Sequence, residues 1–309
     1  MFQDVQTANK WRSALLLGMG FALLVLVGGA ISYSFGYGSA GLVIAVALAV
    51  VSSWGAYWSS DTIALGITGA RRVDETTAPQ LLNVVNEMRL ASGLPMPKVA
   101  IIQDPAPNAF ATGRNPQHAT VVVTSGLLEK MNREQLQGVL AHELAHVANR
   151  DTLVATLAVT IAGTLAILAD MTWRMSMFGG TTSRRRNNND NSQLQAIMMV
   201  VAVVGIVLAP IAAQMIHAAV SRRREQLADA TAVSFTRNPA GLRSALEVLL
   251  ADSTVVRHTS RATSHLWIES PLDRDGSRWN KLFDTHPPLQ ERIAILRDME
   301  HLPATPTST

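Results

Sequence analysis

The feature that most constrains this chain is a long stretch without charge near its beginning. No Asp, Glu, Lys or Arg occurs between Ser13 and Ser60. One membrane-spanning helix uses about 20 apolar residues, so a stretch of this length accommodates two. Glycines concentrated in residues 35–41 mark the break between them. The sequence therefore predicts apolar helices at residues 13–34 and 41–59.

The charges around this pair of helices indicate its orientation. Lys10 and Arg12 precede the first helix, Arg71 and Arg72 follow the second, and the turn between them carries no charge. Because Lys and Arg are enriched on the cytoplasmic side of membrane helices, both outer ends are expected in the cytoplasm. A cleaved signal peptide is the alternative, and it is disfavoured by the long first apolar run and by the second run directly after it.

The composition agrees with a membrane protein that also has a sizeable polar portion. Apolar residues make up 48% of the chain and charged residues only 16%, and the mean hydropathy is positive, at +0.18. The formal net charge of +3 gives no reason to expect nucleic acid as a partner. The chain has no cysteine, which excludes disulfides and thiolate metal sites, so any zinc ion must be held by His, Asp or Glu.

Two more apolar runs occupy the middle of the chain, Thr152–Ala169 and Leu194–Val220, with a polar loop at 171–193 between them. They either span the membrane or form a buried helical hairpin. The arginines Arg184–Arg186 conflict with an external position for the loop. We favour spanning, because the later run is long enough to cross. Both alternatives place the outer ends of the two runs on the same side of the membrane.

An H-E-x-x-H motif occurs at His142, Glu143 and His146. On a helix, residues four apart lie on one face, so both imidazoles can bind one metal ion. Glu143 then projects beside the metal, where a water polarised by zinc and deprotonated by a carboxylate becomes a nucleophile near neutral pH. Asn132 and Gln135 predict a capping box at the start of this helix.

A third ligand is expected from a later helix that returns to the first. Glu225 directly follows the last apolar run, and Asp229 lies four residues further, on the same helical face. A carboxylate there can accept the free N–H of a ligating histidine and fix its tautomer. The alternatives are that Glu225 sits at the positive end of a helix dipole and that Asp229 forms a salt bridge with Arg222 or Arg224.

The remaining histidines give weaker signals. His217, near the end of the last apolar run, is typical of an interfacial residue. His286 precedes two prolines and indicates the start of a helix. The others lie in polar segments and are expected at the surface: His118, His258, His265 and His301.

Four motifs occur in the order NAFATGRNPQHA, AHELAHVANRD, SRRREQLADA and THPPLQERI. With them the chain resembles, over nearly its whole length, the HtpX-type membrane zinc metalloproteases, which are bacterial heat-shock proteases related to the prenyl-protein endopeptidases. The resemblance implies that one Zn²⁺ is bound by His142, His146 and Glu225. It also implies that Glu143 is the general base and that Asp229 is the hydrogen-bond partner of a ligand.

The resemblance implies further residues around the site. His286 and Arg292 would lie near the metal and stabilise the oxyanion. A strand edge beside the cleft would bind the substrate peptide in extended form through main-chain hydrogen bonds. Its residues would be Asn108, Ala109, Phe110, Ala111, Thr112 and Gly113.

The fold expected is that of a mainly α membrane protein with about four transmembrane helices. It would carry a cytoplasmic α+β zincin-like metalloprotease domain with a small sheet. Helices are predicted at Gln80–Ala91, Gln226–Phe235, Leu242–Leu250 and Pro287–Met299. Strands are predicted at Val99–Gln103 and Ala119–Thr124, and Gly113, Asn115 and Pro116 predict a hairpin loop in the link between them.

The chain would therefore divide into four parts. Residues 1–60 form the first transmembrane pair and 152–220 the second, while 61–151 and 221–309 form the two parts of the catalytic domain. The resemblance places the protein in the bacterial cytoplasmic (inner) membrane, multi-pass, with its active site facing the cytoplasm. Its substrates would be misfolded or damaged membrane proteins. Its partners would be the lipid bilayer and other quality-control proteases.

Two other functions fit parts of the sequence. An intramembrane protease would hold the metal motif inside the bilayer, but the polar residues of Glu129–Gln137 and Asn149–Asp151 flank the motif. A non-catalytic membrane adaptor or holdase with a structural zinc site would have no need of Glu143.

Overall fold

The computed structural model describes residues 2–34, 38–154, 222–254, 256, 267–268 and 287–300. The predictions made for residues 155–220, which include His217, and for His286 fall outside these residues. The helices with described boundaries are α1 (Phe2–Ser34), α2 (Gly38–Trp58), α3 (Ser60–Thr68), α4 (Pro79–Ser92), α5 (Ser125–Lys130), α6 (Arg133–Asn149), α7 (Arg222–Thr236), α8 (Pro239–Ala251) and α9 (Leu289–Glu300). The strands are β1 (Arg71–Val73), β2 (Lys98–Ile102), β3 (Ala109–Gly113) and β4 (Ala119–Thr124).

The first two helices pack against each other. α1 begins at Phe2 rather than near residue 13, because the polar stretch before the apolar run consists largely of residues that a helix accommodates. α2 agrees closely with the prediction for 41–59. Within the described ranges, no helix combines the length and the apolar character that crossing a membrane requires.

The sheet has four strands in the order β1-β2-β4-β3. β2 and β4 are parallel, whereas β1 pairs antiparallel with β2 and β3 pairs antiparallel with β4. The prediction that the strands at 99–103 and 119–124 form a hairpin is therefore wrong, whereas the hairpin loop predicted at Gly113, Asn115 and Pro116 is confirmed between β3 and β4. Parallel neighbours cannot be joined by a tight turn. The chain first crosses to β3 at the sheet edge and then turns back, through a short 3₁₀ turn at Pro116–His118, into the space between.

α6 carries the H-E-x-x-H motif and starts with the predicted capping box. The Asn132 side chain accepts the Gln135 N–H, and the Gln135 side chain accepts the Asn132 N–H, both at 3.0 Å. The helix ends at Asn149, and the next residue, Arg150, has a left-handed φ of 60° that bends the chain before Asp151. Both helix ends are thus fixed by local hydrogen bonds, which set where the helix that carries the motif begins and ends.

α6 is the central helix of the domain and contacts helices from both halves of the sequence. Leu140 and Leu144 share one buried cluster with Ala232 of α7 and Leu246 of α8. α4 and the sheet cover its other sides. The metal motif is consequently surrounded by elements that lie before and after residues 155–221.

Gly138 sets the distance between α6 and α8. A Cβ at this position would lie 2.6 Å from the Leu242 backbone N and 2.7 Å from its Cα. These are backbone atoms and cannot turn aside as a side chain would. Only glycine permits the approach that seats α8 against the metal helix.

We expect Gly138→Ala to lower the free energy of unfolding by about 1–3 kcal/mol, the usual range for overpacking a tight contact. Gly66→Ala is the matched control, since Gly66 is an exposed residue of α3 with nothing within 4 Å of an added Cβ. That change should leave stability equal or raise it by up to about 1 kcal/mol. Thermal unfolding of both variants in detergent measures the difference, and equal midpoints would contradict the close-approach argument.

Candidate metal centre

Three side chains from two helices converge beside the core. His142 Nε2 lies 3.2 Å from His146 Nε2 and 3.5 Å from Glu225 Oε2. His146 Nε2 lies 3.5 Å from Glu225 Oε1. His142 and Glu225 are buried, and His146 is partly buried. Among the described residues this trio is the group whose donor atoms all lie within 4.8 Å of one another.

These separations fit a tetrahedral metal ion. Zinc binds imidazole nitrogen and carboxylate oxygen at about 2.0–2.2 Å, so neighbouring ligand atoms of a tetrahedron stand about 3.3–3.6 Å apart. The donor set, two imidazoles and one carboxylate, is one that catalytic zinc sites use. Three protein ligands leave a fourth position for water or substrate.

The outer nitrogen of each imidazole is held by a carboxylate. His142 Nδ1 lies 2.9 Å from Asp229 Oδ1, and His146 Nδ1 lies 3.2 Å from Asp151 Oδ2. An ionised carboxylate only accepts hydrogen bonds, so each Nδ1 carries the proton. In the neutral ring the lone pair is then on Nε2, and both Nε2 atoms point into the same space. Such tautomer control is typical of metal-binding histidines.

Asp229 is itself held by Arg292 of α9. Arg292 Nε donates to Asp229 Oδ2 at 2.9 Å and Nη2 donates to Oδ1 at 2.7 Å, with both side chains buried. Burial alone would raise the pKa of Asp229, but the Arg292 charge and the His142 hydrogen bond outweigh it and lower that pKa. The arginine thus keeps the carboxylate ionised and turned toward His142.

Burial and the Arg292 charge both disfavour a positive charge on His142. Hydrogen bonds to Asp229 and Glu225 outweigh them and raise the pKa of His142 to about 9. Glu143 is buried next to this ring, and burial raises the pKa of its carboxyl, while the His142 and His146 charges act in the opposite direction. A raised pKa brings a carboxylate closer to the range in which a general base works at neutral pH.

The structure places most of the predicted site residues together. Asp229 and Arg292 lie directly around His142, and Arg292 Nη1 is also 3.6 Å from Glu225 Oε2. His286 lies outside the described residues. The Arg292 guanidinium lies against Asp229, and the role of Arg292 in stabilising the oxyanion stays a prediction.

Sequence reasoning missed Asp151. It reaches back to His146 because the left-handed Arg150 turns the chain at the end of α6. The available signal was a carboxylate five residues after the second histidine, just beyond the helix end. That spacing falls outside the helical i, i+4 pattern. Asp151 reaches His146 only because Arg150 adopts a left-handed conformation.

Residues 109–113 of the segment predicted to bind substrate form β3, the edge strand, Asn108 directly precedes it, and all six residues are buried. Thr124 N–H donates to Asn108 O at 3.0 Å, which makes these two residues a hydrogen-bonded pair. In an antiparallel ladder the bonding direction alternates, so Ala109 and Ala111 direct their backbone groups away from β4. The Ile268 N–H donates to Ala109 O at 3.0 Å. The Trp267 ring packs edge to face against the Phe110 ring, with 4.9 Å between the ring centroids.

Comparison with known proteins identifies relatives along nearly the whole chain. The family model of peptidase family M48 matches residues 75–300. A protease HtpX homolog of Syntrophobacter fumaroxidans is 43% identical over 94% of this chain and 99% of its own length. One from Streptococcus pneumoniae is 45% identical over 97% of this chain and 100% of its own length.

Among solved structures, this chain is similar to the crystal structure of Ste24p from S. mikatae. The match covers 95% of this chain and 66% of the Ste24p chain. The TM-score is 0.48 and the sequence identity is 17%.

Because the pKa of His142 is raised to about 9, a proton competes with a metal ion for this ring. Below that pH, each unit of acidification should weaken metal affinity about tenfold, since one proton is displaced per metal bound. Titration of the metal-free protein with Zn²⁺ between pH 6 and pH 8, against a chelator of known affinity, measures the slope. Affinity that does not change over this interval would contradict the competition.

Proposed function

Because the chain belongs to peptidase family M48, it is a metalloendopeptidase, and we propose that it is a zinc enzyme of the bacterial cytoplasmic membrane that cleaves misfolded or damaged membrane proteins. The observation that carries the proposal is the convergence of His142, His146 and Glu225 beside the buried Glu143. A structural metal site gains nothing from an additional buried carboxylate next to its ligands.

His142, His146 and Glu225 would hold the ion, with Asp229 and Asp151 fixing the two rings. When bound, zinc supplies Lewis acidity toward the scissile carbonyl and makes water a stronger acid. Glu143 accepts the proton of the attacking water as the new C–O bond forms. It then delivers that proton to the amide nitrogen as the C–N bond breaks.

We propose that the outward edge of β3 binds the substrate peptide. Backbone pairing recognises an extended chain whatever its side chains, which suits an enzyme that removes many different damaged proteins. Ala109 O already accepts a bond from Ile268, so substrate pairing would begin at Ala111. His286 and Arg292 remain the proposed helpers of the oxyanion.

The membrane assignment is supported by the surface of the N-terminal helices. Large apolar side chains of α2 are exposed, among them Val43 at 68% and Val51 at 66%. The end of α2 carries aromatic residues, and Trp54 and Trp58 meet edge to face at 6.4 Å. Apolar surface bounded by aromatic residues is typical of a helix in a bilayer.

The end of α2 also contacts the turn that follows β3. The Arg114 guanidinium lies 4.2 Å from the centre of a Trp58 ring, and Nη1 donates to Trp58 O at 3.2 Å. From the length of the uncharged runs in the sequence, and not from the described helices, we propose that residues 1–60 and 152–220 supply about four spanning helices. Residues 61–151 and 221–309 then form the catalytic domain on the cytoplasmic side. The substrate edge would lie close to the membrane surface, where partly extracted membrane proteins and other quality-control proteases would meet it.

The alternative is a non-catalytic membrane adaptor or holdase with a structural zinc ion. Such a protein would bind the metal and unfolded chains without hydrolysing them. It is separated from the protease by a variant that keeps the ligands and removes the base.

We expect Glu143→Gln to retain the metal and to lose about 10²–10⁴-fold in kcat, the usual contribution of a positioned acid–base group. Gln keeps the shape of the side chain but cannot accept the proton. Metal content by mass spectrometry and cleavage of casein by the purified protein measure the two properties. Undiminished cleavage by this variant would refute the base assignment, and a metal-bound wild type without activity would favour the holdase.

Ala111→Pro tests the substrate edge. It removes an outward N–H and leaves the β4 ladder intact, so we expect KM for peptides to rise about 2- to 10-fold, the equivalent of one net hydrogen bond. Folding and metal content should be unchanged.

Thr112→Pro is the matched control, because the Thr112 N–H points toward β4 and its loss should destabilise the sheet. If Ala111→Pro leaves KM unaltered in a folded protein, the substrate does not pair at this position.

A further inference from the structure

α1 contributes a buried side chain to the surroundings of the metal centre. Asn9 is 1% exposed although it lies in the polar stretch that precedes the apolar run. Its Nδ2 donates to Asp151 Oδ1 at 2.6 Å and to the Asn149 backbone O at 2.9 Å. One amide group thus joins the N-terminal helix to the end of α6.

The two hydrogen bonds use the two donors of the amide group completely. Asn149 O is one of the last carbonyls of α6, which have no partner within their own helix. Asp151 is the residue whose other oxygen, Oδ2, lies 3.2 Å from His146 Nδ1. A continuous chain of contacts therefore runs from Asn9 through Asp151 to His146.

Asp151 also has a cationic neighbour, since Arg224 Nη1 lies 3.5 Å from Oδ1. This distance is long for a directed hydrogen bond, so Arg224 supplies charge rather than orientation. The 2.6 Å bond from Asn9 is the one that fixes the plane of the carboxylate. Without it the carboxylate can rotate and Oδ2 no longer faces the imidazole.

We propose that Asn9 is a positioning residue of the metal centre. By holding Asp151, it orients His146 as a ligand, and metal affinity consequently depends on the docking of α1 against α6. This inference rests on the proposed function, because it requires the trio of His142, His146 and Glu225 to bind a metal. The polar start of α1 thus contributes to the active site, in addition to leading into the apolar hairpin.

The experiment uses the full chain in detergent and Co²⁺ as the probe, because the visible absorption of Co²⁺ reports ligand geometry. Affinity is measured by competition with a chelator for the wild type, Asn9→Ala, Asp151→Ala and the double variant. Loss of a partner that orients a metal ligand weakens affinity about 10–100-fold, which is expected for Asp151→Ala. We expect about 3- to 10-fold for Asn9→Ala, because Arg224 still faces the carboxylate. Its Co²⁺ bands should shift as well.

The double variant shows whether Asn9 acts on the metal centre through Asp151. If Asn9 acts through Asp151, the double variant binds Co²⁺ no more weakly than Asp151→Ala alone. Additive losses would overturn the proposal. So would wild-type affinity and an unshifted spectrum in Asn9→Ala. Asn9→Ser replaces Asn9→Ala if the latter is not recovered folded, with the same expectations.

Asn132→Ala is the matched control, because it removes a cap from the opposite end of the same helix. It should lower stability and leave Co²⁺ affinity and spectrum unchanged. An equal loss of affinity in Asn132→Ala would show that Asn9 merely stabilises α6, and would overturn the proposal. If the wild type itself binds no Co²⁺ or Zn²⁺, the proposed function fails. If the wild type binds and Asn9→Ala is indistinguishable from it, only this inference fails.

Discussion

The structure depends on keeping two imidazole nitrogens 3.2 Å apart in a buried site, each with its lone pair directed at the same space. Such an arrangement is unfavourable without a cation, and each ring must be prevented from turning away. Asp229 and Asp151 prevent it from opposite sides, and Arg292 balances the charge of Asp229. Removing one partner of a buried pair of this kind typically costs about 3–5 kcal/mol. The cluster is therefore costly unless all of its members are in place.

The members come from distant parts of the chain. α6 supplies the histidines, α7 supplies Glu225 and Asp229, α9 supplies Arg292, and α1 supplies the contact to Asp151. Four helices must dock before both rings are oriented, so binding of the proposed metal ion would be coupled to the folding of this region. The coupling runs in both directions: a bound metal would stabilise the docked helices, and opening of any one of them would weaken the site.

Local patterns predicted the parts of the site that a single helix fixes. The spacing of His142 and His146, the capping box before them, and the spacing of Glu225 and Asp229 all follow from the helical period. Contacts that arise only from tertiary packing were not predictable in this way. Asn9 and Asp151 are 142 residues apart, and the parallel pairing of β2 and β4 depends on where the chain passes β3.

One short contact links the sheet edge to the metal centre. The backbone N–H of Ile268 donates to Ala109 O at 3.0 Å, while its carbonyl accepts from Arg292 Nη1 at 3.4 Å. The same arginine holds Asp229, which holds His142. The edge of β3 is therefore connected to His142 through the backbone of one residue, Ile268, then the Arg292 guanidinium and the Asp229 carboxylate. A peptide that displaced Ile268 from Ala109 would remove one of the contacts that fix Arg292, so under the proposed function substrate pairing that begins at Ala111 leaves this connection to His142 intact.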